Sequence, residues 1–416
     1  MLGISIFQTH NVGVFKRAEI FLLGALLVLA GCATAPTTPE APISSVSRSP
    51  DATGLNWTDT NAAPQPHAPP AVKRNPPFAV ITNRPPVFVT GKPAPAPAPV
   101  TTWTALNRWT ADQKLAAPRL LTKTPLTTYQ ISSDQGVMFL ALGSHEAAWN
   151  GMEIHLGFEP QLIDGQVFLH GLDLQKILEP LLCAPPLAFG TNRIVVIDPG
   201  HGGLNSGTHS VVDGRFEKEF TLDWARRLAP LLATNGWQVF LTRTNDTDSS
   251  LSNRVAFAEA HHADLFISLH FNSGAPDIRE AGLETYCLTP AGMPSTLTRG
   301  FADPWSENLP NNLYDAQNLQ LAIRLHNALL HASGEEDRGV RHARFLGVLR
   351  GQRRPAVLIE AGYLSNPQEA KRIEELEFRQ KLAEAVAAAL RSPSENRDPK
   401  PQNFQRMAET NPPPIP

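Results

Sequence analysis

The stretch IVVIDPGHGG, residues 194–203, sets four apolar residues before an Asp, a Pro-Gly turn, a His and two more glycines. An apolar run without alternation reads as a strand covered on both faces. Glycines at 200, 202 and 203 let the backbone turn tightly, so that the imidazole of His201 faces the space beyond the strand. Working outward from this stretch, residues 191–391 alternate strand and helix patterns. Strands are expected at 194–198, 237–243, 263–270, 282–288 and 355–359, and helices at 217–234, 251–261, 315–333 and 367–390. This order predicts an α/β fold with a mostly parallel central sheet flanked by helices.

In such sheets, sites form beyond the carboxyl ends of the strands. Residues of metal-binding type fall there. His201 follows the first strand, His270 ends FISLH, Glu360 ends AVLIE, and Glu217 opens a helix in RFEKEF that the loop 202–216 can fold back. Two imidazoles, one carboxylate and an open position make a catalytic zinc set. Each residue also has a plainer reading. A His at a strand end is often a polar edge residue, Glu217 suits a first helical turn, and Glu360 can pair with a nearby arginine. Their coincidence at one sheet end favours the metal reading. His261-His262 reads as a helix end, because adjacent helical residues point apart.

VVIDPGHGG, EKE, LTR, ADLFISLHFN, GLETYCL, DRGVRHARFLGVLR and PAVLIEAGYLSN follow one another over about 192–391. Together they resemble the zinc-dependent N-acetylmuramoyl-L-alanine amidase family. The resemblance implies that His201, Glu217 and His270 are zinc ligands and that Glu360 is the catalytic carboxylate. It implies peptidoglycan as substrate, cut between the lactyl group of N-acetylmuramic acid and L-alanine of the stem peptide. On that chemistry zinc lowers the pKa of its water towards ~7. Glu360 takes the water's proton and passes it to the leaving amine. Arg338 or Arg341 is a candidate to meet stem-peptide carboxylates, against a surface salt bridge with Glu335 or Glu336. Asn272 is a candidate to steady His270, against a simple turn role.

Two stretches depart from the family pattern. LNSGTHS (204–210) stands where an acidic residue and a Gly-Ala are usual. Residues 290–314 stand where some relatives insert a helix that plugs the site; rich in Pro, Gly and Asn, they predict a loop that can cover it. Two other functions compete: a zinc peptidase acting on the stem peptide itself, and a non-catalytic wall-binding or activator protein. The second is disfavoured because all four site residues are present.

The flanks read as an address and a tether. Lys16 and Arg17 precede an apolar run, 20–30, too short to span a bilayer. It ends in LAGC (29–32), which resembles the lipobox of bacterial lipoproteins and implies a lipid anchor on Cys32, with the protein exported and facing the periplasm. Residues 1–31 are then a lipoprotein signal and 32–101 a Pro-rich tether; sixteen of the 38 prolines lie in 33–100 and seven more in 393–416. Residues 102–190 read as a small, mostly-β module with a closing helix, loosely similar to the stalk module of copper amine oxidases, a spacer or wall-binding unit. Residues 392–416 read as a disordered tail. The net charge of −3 gives no sign of nucleic acid. The three cysteines are too few for a disulfide framework; Cys183 and Cys287 are expected to be unpaired, Cys287 within the core. An activator protein is left open as a partner.

Overall fold

The computed structural model describes residues 102–391 apart from 125, 191–192 and 299–302. The signal, Cys32, the Pro-rich stretch and the tail lie outside the described residues. In chain order the upstream part holds β1 (Trp103–Ala105), α1 (Leu106–Asp112), β2 (Arg119–Thr122), β3 (Thr128–Ser133), β4 (Gly136–Ala141), β5 (Glu146–Trp149), β6 (Met152–His155), β7 (Gln161–Ile163) and β8 (Gln166–His170). A helical run over 171–182, α2, closes it. Then come β9 (Arg193–Pro199), α3 (Glu217–Thr234), β10 (Trp237–Leu241), α4 (Leu251–Ala260), β11 (Leu265–Asn272) and β12 (Leu283–Cys287). The chain ends with α5 (Asp315–Ser333), β13 (Asp337–His342), α6 (Gly347–Arg350), β14 (Ala356–Tyr363), α7 (Pro367–Glu374) and α8 (Leu376–Ala389).

The sheet is mixed rather than mostly parallel throughout. Its order is β10-β9-β11-β14-β12-β13-β6-β5-β4-β3-β2. The pairs β10/β9, β9/β11 and β11/β14 are parallel, whereas β12 runs antiparallel to β14. β13 and β6 follow the direction of β12. The end of the sheet that carries the carboxyl ends of β9, β11 and β14 therefore carries the amino ends of β12, β13 and β6.

α3 shows why the local pattern folds as it does. Phe220, Trp224, Ala225, Leu228 and Leu232 recur at helical spacing and are buried. Glu219 reaches back to accept from the amide of Phe216, and the helix stops before Gly236, whose φ is 80°. The single helix expected over 367–390 is two. Asn366 caps Pro367–Glu374 through the amides of Gln368 and Glu369, and Glu375 is extended before the second helix starts. β13 was not expected at all.

The boundary expected at 190/191 marks no break in the sheet or in the core. β6 joins β13 through Ile154 and Val340, and one apolar cluster runs from Leu106, Ile131, Ile154 and Ile177 to Val195, Trp224 and Leu269. Across the seam, Asp337 accepts the amide of Glu153 at 2.8 Å and receives His326 Nε2 at 2.9 Å. Gly339, at φ 87°, lets the strands close; a Cβ there would stand 3.0 Å from the Glu153 carbonyl and 3.2 Å from His155. Gly339→Ala should therefore cost about 1–3 kcal/mol, the scale of a strained backbone site. Thermal unfolding of the full chain checks this, with a fall of roughly 2–4 °C per kcal/mol expected.

Candidate metal centre and its cleft

β9 delivers Asp198 and Pro199 into a turn whose backbone is unusual. His201 itself has φ 62°, followed by Gly202 at 133° and Gly203 at 58°. A non-glycine residue in the left-handed region costs energy and needs support. Two buried arginines supply it. Arg254 donates to the carbonyls of Pro199 and His201 at 3.0 and 2.7 Å, and to Asp198 Oδ1 at 2.6 Å. Arg243, from the LTR motif, donates to the carbonyls of Pro199 and Gly200 at 3.0 and 2.8 Å. Burial alone would raise Asp198, but Arg254 and the hydroxyls of Thr242 and Ser268 hold its carboxyl below the ordinary range.

Gly200 is needed for space rather than for a special φ. A Cβ on it would lie 2.3 Å from the imidazole of His270. Gly207 plays the same part opposite: its Cβ would lie 2.5 Å from Glu217 Oε2 and 2.8 Å from His201 Cδ2. Between these two glycines the expected cluster assembles. Glu217, in the first turn of α3, places Oε2 3.0 Å from His201 Nε2 and Oε1 2.9 Å from His270 Nδ1. The amides of Thr208 and Phe271 also donate to its carboxylate. Among the described residues, His201, Glu217 and His270 form the one group whose ligand atoms lie within 4.8 Å of one another. His201 Nδ1 lies 2.8 Å from Asn205 Oδ1, an acceptor, so Nδ1 carries the proton and Nε2 faces the cluster. Burial would raise Glu217, yet the two imidazoles hold its carboxyl below the usual carboxylate range.

Glu360 lies one strand away. It is in register with His270 on β11 and with Glu284 on β12. Paired residues project from the same face, so His270, Glu360 and Glu284 form a row across three adjacent strands. Asn272 does not reach His270: its Nδ2 donates to Glu284 Oε2 at 3.0 Å, and its Oδ1 accepts the amide of Ser273. Arg338 does not pair with Glu335 or Glu336. It meets Glu280 at 2.6 Å and Glu284 at 2.9 Å, and its guanidinium lies 5.2 Å from the Tyr363 ring centre. Arg341 donates through Nε to the Arg338 carbonyl and stands 3.5 Å from Glu284. Glu335 pairs instead with Arg372.

Glu284 is the residue that sequence reading missed. Almost wholly buried, it receives Arg338, Asn272 and the Tyr286 hydroxyl, the last at 2.8 Å. The signal was present: a Glu inside the apolar strand pattern of GLETYCL. Asn205 was passed over in the same way, within the loop that departs from the family pattern. Other expectations are met as simple structure. His261 caps the end of α4 beside Phe257 and Phe240, and Cys183 and Cys287 are free, the second buried in β12. The loop after β12 does not start over the cluster. β12 and β13 both run away from it, and Arg344, just past β13, ties Pro290, Met293 and Asp303 at the far end of the sheet.

A family model for N-acetylmuramoyl-L-alanine amidase matches residues 195–392. The chain is 30% identical over 221 residues to the N-acetylmuramoyl-L-alanine amidase AmiA of Escherichia coli K12, covering 48% of this chain and 75% of that protein. It is 30% identical over 247 residues to AmiC of Escherichia coli O6:H1, covering 53% of this chain and 58% of that protein. The crystal structure of an N-acetylmuramoyl-L-alanine amidase from Clostridium difficile 630 is 30% identical, covers 48% of this chain and 95% of that one, and gives a TM-score of 0.40.

Removing one partner of a buried ion pair leaves an uncompensated charge and costs about 3–5 kcal/mol. Arg254→Ala removes the cation beside Asp198, which is almost wholly buried, and takes a donor from the carbonyls of Ser249, Pro199 and His201, of which Pro199 keeps Arg243. Denaturant unfolding of this variant should show a loss of that size.

Proposed function

The chain belongs to the N-acetylmuramoyl-L-alanine amidase family, and from that premise we propose that it hydrolyses the amide between the lactyl group of N-acetylmuramic acid and L-alanine in peptidoglycan, with zinc as its metal. The observation that carries this reading is the convergence of one ligand atom each from His201, Glu217 and His270 within 4.8 Å, one strand from Glu360. The donor set fits the ion. Two neutral imidazoles and one carboxylate are a catalytic zinc complement that keeps one position open. Asn205 fixes the His201 tautomer that leaves Nε2 free to bind, and Gly200 and Gly207 leave room for the rings and the carboxylate to close around a small cation.

Zinc held there would supply Lewis acidity to a water and to the lactyl carbonyl. The chain's own residues do the rest. Glu360, on the same sheet face as His270, takes the proton that the attacking water gives up and returns it to the departing L-alanine nitrogen. Arg254 and Arg243 keep the 199–201 backbone from relaxing when charge changes beside it. Mass spectrometry of muropeptides after digestion identifies the broken bond; fragments cut within the stem peptide would replace the amidase by a peptidase.

The division of roles predicts two different failures. His201→Ala should lose zinc and activity together. Glu360→Gln should keep about one zinc per chain while turnover falls roughly 10²–10⁴-fold, the scale of a lost general base. Metal analysis beside a muropeptide-release assay tests both, and a Glu360→Gln protein without zinc would make Glu360 a ligand instead.

The N-terminal sequence supports a second part of the proposal, a membrane anchor at Cys32 on the periplasmic side, with residues 33–101 as tether. Cys32→Ala should then move the protein from the membrane to the soluble exported fraction. A variant that stays on the membrane would assign the anchor elsewhere.

A further inference from the structure

The row of side chains that begins at the metal cluster does not end at β12. Tyr286 on β12 is in register with Arg341 on β13, and Ile154 on β6 with Val340. Val340 and Ile154 point into the core, so Arg341, Glu153 and His155 project from the opposite face, the one that carries His270, Glu360 and Glu284. Glu153 and His155 belong to the upstream part. A polar strip thus crosses five adjacent strands, from β11 through β14, β12 and β13 to β6.

The two arginines of the strip are not equivalent. Arg338 is held by Glu280, Glu284 and the Tyr363 ring. Arg341 spends Nε on the Arg338 carbonyl, while its terminal Nη2 comes no closer than 4.0 Å to Glu153 Oε1. Glu153 has His155 Nε2 at 3.4 Å, and both Arg341 and Glu153 keep part of their side chains exposed, 20% and 27%. A guanidinium and a carboxylate, each partly open and not locked on each other, form a seat for a group carrying both charges.

We propose that Arg341 and Glu153 bind the zwitterionic side chain of the stem peptide's diamino acid, carboxylate on Arg341 and ammonium on Glu153, so that the upstream module supplies half of a specificity site for the amidase. The proposal rests on the amidase reading above. Spacing supports it. Strands lie about 4.8 Å apart and Arg341 is two residues further along than Glu284, which sets its backbone roughly 16 Å from that of His270, a gap that its own long side chain shortens. An extended peptide advances about 3.3–3.6 Å per residue, so the third residue of a stem, with its side chain, reaches that far from the scissile amide. Burial and the nearby Asp337 push Glu153 up to about 7; an arriving ammonium draws it to its charged form and gains an ion pair in a place partly shielded from water.

The test compares two muropeptides with the same stem, one with its side-chain amine free and one with that amine acetylated. The full-length, zinc-loaded protein should show a kcat/KM for the free amine about tenfold above that for the acetylated one, and Glu153→Gln should erase this ratio. Arg341→Lys, which keeps the charge but loses the fork, should lower kcat/KM through KM on the free-amine substrate. A wild-type protein indifferent to acetylation, or a Glu153→Gln protein that keeps the preference, overturns the proposal; so does an equal loss on both substrates, which would make Glu153 a structural residue. Cleavage of neither muropeptide by the wild type would sink the amidase reading instead.

Discussion

Asp198 and Arg254, buried side by side at the end of β9, hold the turn on which the site depends. A buried ion pair by itself adds little stability over apolar residues of the same volume, because both charges leave water. Its use here lies in what the guanidinium does with its remaining donors. Arg254 ties down the carbonyls of Pro199 and His201, and Arg243 those of Pro199 and Gly200. Three successive carbonyls at a left-handed corner have left the strand ladder and have no regular partner there. The arginines replace that partner and keep His201 at φ 62°, where the free chain would seldom place it.

The cluster of His201, Glu217 and His270 follows from that fixed corner. With His201 held, Glu217 comes within reach of both imidazoles and of two backbone amides. Two imidazoles and two backbone amides around one carboxylate favour its charged form strongly enough to overcome burial. The cluster therefore keeps a carboxylate anion between two imidazoles, a donor set that suits a divalent cation. Steric exclusion completes it. Neither Gly200 nor Gly207 could carry a methyl group without pushing on His270, Glu217 or His201, so the smallness of both residues is a condition of the site and not merely of the turn.

Much of this was legible in the sequence, and the parts that were not share a cause. The helices Glu217–Thr234 and Asp315–Ser333 appear with the expected bounds, because their apolar spacing and stop signals are strong. His201, Glu217 and His270 meet because parallel strands bring their carboxyl ends to one side. β13 was invisible because DRGVRH has one large apolar residue and a glycine at a bulge. The reversal of β12 was invisible because alternation along a strand carries no direction. Glu284 stood in plain view, but its importance lies in partners from β11 and β13 that only the register brings together. Side chains that act through neighbours in space leave no spacing to read.

The reversal of β12 also decides what the upstream residues are for. Had the sheet continued parallel, the cleft would be lined by carboxyl ends alone and would end with the last crossover. Instead β12 and β13 bring their amino ends to the metal side, and β13 offers an outer edge whose backbone groups need a partner. β6 takes that edge, with Asp337 accepting the Glu153 amide and Gly339 leaving room for the approach. The edge that pairing covers is also the rim of the cleft. A strand added there for stability necessarily sets its alternate side chains, Glu153 and His155, on the catalytic face. Satisfying the backbone of β13 and widening the reactive surface are therefore a single structural event, and residues 102–190 share in the site for the same reason that they share in the core.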